Sequence, residues 1–412
     1  MSNRPAIYLI GDSISIDCHP HLNSLLAADF QYRRKSGMDA ARKNLDEAQG
    51  ANGGDSGCVL AHLRAELAAG LPEETVAINC GLHDIKRKPD SGNIQVPAPQ
   101  YRENLLGIVQ AVRGADKRLI WIRTTPVDEA QHRKCNQAFH RREADLAEYN
   151  RIADEVMHTA GADTVDLYSF TAALPGMLYR DHVHFLPDVV RAQAGFLRRD
   201  FDRLLRPGTP ALHTFLGDSI TDASRDREDP DSPGDGYVRL LAASLPALRF
   251  RNLGISGNRI SDLCDRLGEV PLESRSLTLY GGINDVVHLF KRNRPQSLDE
   301  FESDTVRLLD TALRLGIPLR MLTPFLCEAD PAAVREDWRP LPGEMYRAWR
   351  AALEPRLRIL RAHCGERGIP CLKLDPLLSP LRDISQDGVH PNEKGHRMIA
   401  DALKTHFAGN RA

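Results

Sequence analysis

Short apolar runs alternate with longer amphipathic stretches along the whole chain. In the first half, AIYLI (6–10), VAINC (76–80), RLIWI (118–122) and TVDL (164–167) read as strands, and a further strand is expected at 25–32. In the second half the corresponding runs are LHTFL (212–216), LRFRN (248–252), LTLY (277–280), PLRML (318–322) and CLKL (371–374). Between them, YRENLLGIVQAVR (101–113), LAEYNRIADEVMHTA (146–160), FESDTVRLLDTALRL (301–315) and MYRAWRAALEPRLRILRAHC (345–364) carry apolar residues at helical spacing. Pro355 is expected to interrupt or kink the last of these. Strands alternating with helices predict an α/β fold, with parallel sheets covered by helices on both faces.

The pattern also divides the chain. A helical run ends at Leu205 and is followed by RPGTPA, in which Pro207, Gly208 and Pro210 break regular structure. A linker at 206–211 therefore separates two expected domains, 1–206 and 211–412. Each opens on the same phrase, LIGDSISIDC at 9–18 and FLGDSITDAS at 215–224. Further landmarks follow in order. Ser13 and Ser219 are 206 positions apart, Gly54 and Gly257 203, His83 and Asn284 201, and Thr125 and Thr323 198. Asp181/Asp387 and His184/His390 return to 206. A drifting offset between ordered landmarks is the mark of a duplicated domain with altered loop lengths.

Composition fits this picture. The 412 residues are 42% hydrophobic and 27% charged, with a formal net charge of −2, which argues against broad attraction to nucleic acid or anionic membrane. The early apolar run is too short for a signal-peptide core, and no run approaches a membrane span of about 20 residues. Eight cysteines show no CxxC or other metal-type spacing. A soluble, cytoplasmic protein is expected. His19 and His21, in DCHPH, lack a third ligand at useful spacing, so no metal site is expected there.

The second half carries a complete set of residues for nucleophilic catalysis. Ser219 ends a strand, where a sharp turn exposes it at the carboxyl edge of a sheet. Asp387 and His390 lie three apart in SQDGVHPNEKGH, so His390 can face Ser219 while Asp387 orients it. Gly257, in NLGISGNRISDL, offers a backbone N–H without a side chain, and Asn284, in YGGINDVV, offers a donor independent of pH. With the Ser219 N–H they form a three-donor oxyanion hole.

GDS, a glycine in the second block, GxND and DxxH in this order resemble the SGNH (GDSL-type) hydrolase superfamily. GDGYVRLL, GISGNRISDL and DGVHPNEKGH are especially similar to its lysophospholipase-like, acetylesterase branch. The resemblance implies a flavodoxin-like three-layer α/β/α fold and cofactor-free hydrolysis of esters, often acetyl groups on sugars. It carries the same roles onto the first half, with Ser13 as nucleophile, Asp181 and His184 as its partners and Gly54 in the oxyanion hole. There the third block reads CGLHDIK, with His83 in the place of the asparagine. A histidine ring donates to an oxyanion only in a suitable tautomer or charge state. His182 stands beside His184 as a competing base. Arg33, Arg34 and Lys35 are candidates for contacting a polar or anionic substrate.

The expected function is that of a serine esterase removing short acyl groups, O-acetyl in particular, from carbohydrate or a similar small polar substrate. An acyltransferase with the same triad is one alternative. One catalytic domain fused to a non-catalytic, SGNH-like binding domain is the other.

Overall fold

The computed structural model describes residues 4–291, 296–328, 343–385 and 387–408. The chain divides into two compact units, Met1–Thr209 and Pro210–Ala412. The first contains strands β1 (Ala6–Ile10), β2 (Gln31–Arg34), β3 (Thr75–Ile78), β4 (Arg118–Ile122) and β5 (Asp163–Val165). The second contains β6 (Leu212–Gly217), β7 (Arg249–Gly254), β8 (Ser276–Tyr280), β9 (Leu319–Leu322) and β10 (Cys371–Leu372). The sheets are ordered β2-β1-β3-β4-β5 and β7-β6-β8-β9-β10, and every pairing is parallel. Each unit is thus an α/β fold with the doubly wound order 2-1-3-4-5, whose direction reverses beside the first strand.

Burial on both faces explains the unbroken apolar runs. In β1, Ile7 and Leu9 pack with Leu22, Leu197 and Phe201 on one face, while Tyr8 and Ile10 pack with Leu63, Leu105 and Trp121 on the other. Residues alternate across a strand, so two covered faces require apolar side chains at successive positions. The second sheet repeats this: Phe215, Tyr280 and Leu322 face one core, and Leu216, Leu279 and Met321 the other. Polar residues inside β6 find partners across the sheet, His213 Nδ1 with Ser276 Oγ and Thr214 Oγ1 with Ser274 Oγ, both at 2.8 Å.

Two local expectations are corrected. The strand expected at 25–32 begins later, at Gln31, because the helix Ser13–Leu26 runs on to bury Leu22 and Leu26, one turn apart. Arg33 and Arg34 therefore lie in the strand rather than after it. The interruption expected at Pro355 does not occur, and the helix Gly343–Glu366 continues through it. Leu353, Leu357 and Leu360 are fully buried on both sides of the proline, and this packing outweighs the missing N–H.

No helix among the described residues is long and apolar enough to cross a membrane.

Candidate active site

The repeated GDS phrase is a strand-to-helix turn. Asp12 caps the helix Ser13–Leu26 by accepting the Ile14 N–H, and Asp218 caps the short helix Ser219–Asp222 by accepting the Ile220 N–H, both at 3.0 Å. Each serine therefore occupies the first helical position, at the sheet edge where the strand order reverses. The preceding glycine is required by space. A Cβ on Gly217 meets Thr221 Oγ1 at 2.2 Å and the Tyr280 carbonyl at 2.9 Å; one on Gly11 meets Ser15 at 2.7 Å.

Asp12 and Asp218 are completely buried, each with its second carboxylate oxygen unpartnered among the described residues. Burial pushes the Asp218 carboxyl up to about 7, from 3.8. Between these values the folded protein holds a proton that the unfolded chain has released, so this group's contribution to stability falls as pH rises through that window. Asp218→Asn keeps an oxygen for the cap and stays neutral. Melting curves from pH 4.5 to 8 are expected to show a flatter pH dependence for the variant. The relative gain at pH 8 is on the order of 2–4 kcal/mol. A parallel pair of curves would show that Asp218 is not the group responsible.

In the second unit, His390 Nε2 lies 2.9 Å from Ser219 Oγ, and His390 Nδ1 lies 2.6 Å from Asp387 Oδ2. The other oxygen of Asp387 accepts the backbone N–H groups of Val389 and His390 at 2.8 and 2.7 Å. Burial opposes the charged carboxylate, but the His390 ring and these N–H groups outweigh it and hold Asp387 below the usual carboxylate range. Gly257 takes a φ of +87°, with nothing within 4 Å of where a Cβ would project. Asn284 donates one amide hydrogen to the Asn258 carbonyl at 2.9 Å, which fixes the side chain and leaves its second hydrogen. A cavity of about 540 Å³ adjoins Ser219 and His390, lined also by Ser224, Ser256, Asn392 and His396.

The first unit repeats this geometry. His184 Nε2 is 2.9 Å from Ser13 Oγ, and His184 Nδ1 is 2.9 Å from Asp181 Oδ2. Asp181 Oδ1 accepts the N–H groups of Val183 and His184. Burial again opposes the charge; the His184 ring and backbone donors prevail and lower the carboxyl. His182 does not face Ser13. Its Nδ1 meets Arg141 at 3.3 Å and its Nε2 meets Asp46 at 3.2 Å, so the geometry puts His184 and not His182 against the serine. The two units differ in cover. The His184 side chain is 4% exposed and that of His390 37%.

Gly54 takes a φ of +74°, and a Cβ there would meet Ala48 at 2.4 Å. His83 is buried, with Nδ1 3.2 Å from Lys86 Nζ. Arg33, Arg34 and Lys35 all bind protein groups. Arg33 pairs with Glu73 and stacks over Tyr8; Arg34 donates to the carbonyls of Ser15 and Ala51; Lys35 donates to those of Gly50 and Asn52. Arg34 and Lys35 thereby tie down the segment that leads to Gly54. Among the described residues, Asp181, His182 and His184 bring donor atoms within 4.8 Å of one another, but those atoms already bond Ser13, Asp46, Arg141 and each other.

Sequence reasoning passed over Asp84 and Asp285. Asp84 accepts from the Ser56 N–H and hydroxyl, and Asp285 accepts the Ile260 N–H, so each ties the third block to a helix that follows the second. Burial pushes Asp84 up to about 7 and Asp285 up to about 6. They too stand 201 positions apart, a match that the landmarks beside them already offered.

Residues 215–398 match the GDSL-like Lipase/Acylhydrolase family. Among solved structures, LAE5, an alpha/beta hydrolase enzyme from the metagenome of Lake Arreo, Spain, is 27% identical with a TM-score of 0.41, covering 49% of this chain and 97% of that one. Axe2, an acetylxylan esterase from Geobacillus stearothermophilus, is 25% identical with a TM-score of 0.38, covering 48% of this chain and 94% of that one. No curated protein matches the chain. The family match thus falls on the second unit, over the stretch that carries Ser219, Asp387 and His390.

Proposed function

We propose that the second unit is a serine esterase that removes short acyl groups, O-acetyl in particular, from carbohydrate or a similar small polar substrate. The observation that carries this reading is the relay of contacts from Ser219 Oγ through His390 to Asp387. His390 Nε2 takes the Ser219 proton as Oγ attacks the acyl carbonyl, and Asp387 stabilises the imidazolium. The oxyanion is held by the N–H groups of Ser219 and Gly257 and by the Asn284 amide. His390 then protonates the leaving alcohol, and water, activated by the same ring, releases the acid from the acyl-enzyme.

The cavity supports a small polar substrate. Ser224, Ser256, Asn392 and His396 present polar groups beside the serine, and among the described residues the apolar lining is Ile220, Ala223 and Pro391. Acetate release from acetylated xylooligosaccharides should therefore exceed hydrolysis of long-chain p-nitrophenyl esters in kcat/KM. A preference for long acyl chains would overturn the substrate class and leave the triad standing. The first unit supports a second reading, that Ser13, His184 and Asp181 form another esterase site, on the strength of the 2.9 Å contact between Ser13 and His184.

A further inference from the structure

We infer that Lys86 holds His83 in the tautomer protonated on Nε2, so that this ring N–H serves as the oxyanion donor of the first unit, where the second uses an amide. The inference rests on the reading of Ser13 as a nucleophile. Its basis is a simple asymmetry of donors. Lys86 Nζ lies 3.2 Å from His83 Nδ1, and an ammonium only donates. Nδ1 must then be the acceptor, and a neutral ring carries its one proton on Nε2. That nitrogen is buried and has no hydrogen-bond partner among the described residues.

The fold brings His83 to the same sheet edge as Ser13. β1 and β3 are neighbours, with Ile10 opposite Ile78, so the turns carrying Ser13 and His83 leave the sheet at the same edge. The charged and titratable groups that bear on the ring are Lys86, Arg141, Asp46 and His184. Burial, followed by the charges of Lys86 and Arg141, holds His83 well below the ordinary histidine value and keeps it neutral. Lys86 is itself anchored. It donates to the Asp46 carbonyl and lies 4.7 Å over the Phe139 ring, which Arg141 also covers at 4.8 Å. Arg141 is fixed in turn by the Leu82 carbonyl, one residue before His83. An asparagine amide has no tautomer to choose, and the second unit needs no such lysine.

The test uses the full chain carrying Ser219→Ala, labelled with 15N-histidine, and a fluorophosphonate whose phosphoryl oxygen takes the oxyanion position. The His83 ring signals, assigned by their loss in His83→Asn, should show Nε2 protonated and Nδ1 bare. Lys86→Met should mix the tautomers and slow labelling of Ser13 roughly ten- to hundredfold, while Lys86→Arg, also a donor, should restore both. With His83→Asn in place, adding Lys86→Met should no longer change the labelling rate. A proton on Nδ1 in the unmodified ring would overturn the inference, as would equal slowing by Lys86→Met with and without His83→Asn. If Ser13 is labelled in no variant, its role as nucleophile falls and the donor role with it. The ring spectrum would then still report the tautomer that Lys86 selects.

Discussion

Ser219→Ala is expected to lower ester hydrolysis by the second unit by at least roughly a thousandfold. The substitution removes the attacking oxygen and leaves His390, Asp387 and Asn284 in place, because the turn is held by Asp218 and not by the serine side chain. Residual turnover would come from the oxyanion donors acting on bound ester and water. Comparison with Ser13→Ala and the double variant on p-nitrophenyl acetate separates the units. Loss with Ser219→Ala alone means that the first unit does not use this ester. Loss only in the double variant means two working sites. Turnover that survives the double variant would remove both serines from the mechanism.

Asp387→Asn is expected to cost about as much, roughly 10³- to 10⁴-fold in kcat, with little change in KM. The carboxylate now accepts the proton on His390 Nδ1 at 2.6 Å, which leaves Nε2 bare to receive the proton of Ser219. The backbone N–H groups of Val389 and His390 already point at Oδ1, so an amide placed there keeps its oxygen toward them and turns its NH₂ toward the ring. Nδ1 must then accept, the ring proton moves to Nε2, and the base faces Ser219 with its donor side. A kcat within tenfold of the unmodified enzyme would mean that Asp387 does not set the ring. On the two readings proposed above, a choice between two ring nitrogens is made at both sites, by a carboxylate at His390 and by an ammonium at His83.

Much of the fold was legible because the signals are local. Runs such as AIYLI and RLIWI are apolar at successive positions, which a sheet covered on both faces demands, and those two strands fall where they were read. The residues that meet at each serine were legible because GDS and DxxH are short contiguous turns whose spacing fixes the geometry. What failed depended on distant packing. Nothing near Leu22 and Leu26 in sequence announces Leu197 and Phe201, which bury them and extend the helix. Pro355 was read by its local effect, whereas the surrounding core decides the outcome. Arg141 and Asp46 could not be linked to His83 from sequence, because their contacts span separations such as the 59 positions between Arg141 and Leu82.

In the first unit the helix after the serine runs to Leu26, but in the second it stops after four residues, at Ala223 and Ser224, with φ of +41° and +60°. The chain then leaves as a loop and returns at once, with the Asp235 N–H on the Ala223 carbonyl. Arg225 is tied to the Gly254 carbonyl at one foot and the Pro233 carbonyl accepts from Asn252 at the other, while 226–231 lie exposed. A loop whose ends already meet can be lengthened at small entropic cost, about 0.6 kcal/mol for each doubling. This stretch is accordingly a graft point: sequence of new length can be spliced just beyond Ser224, which lines the cavity, with Ser219 left where its cap holds it.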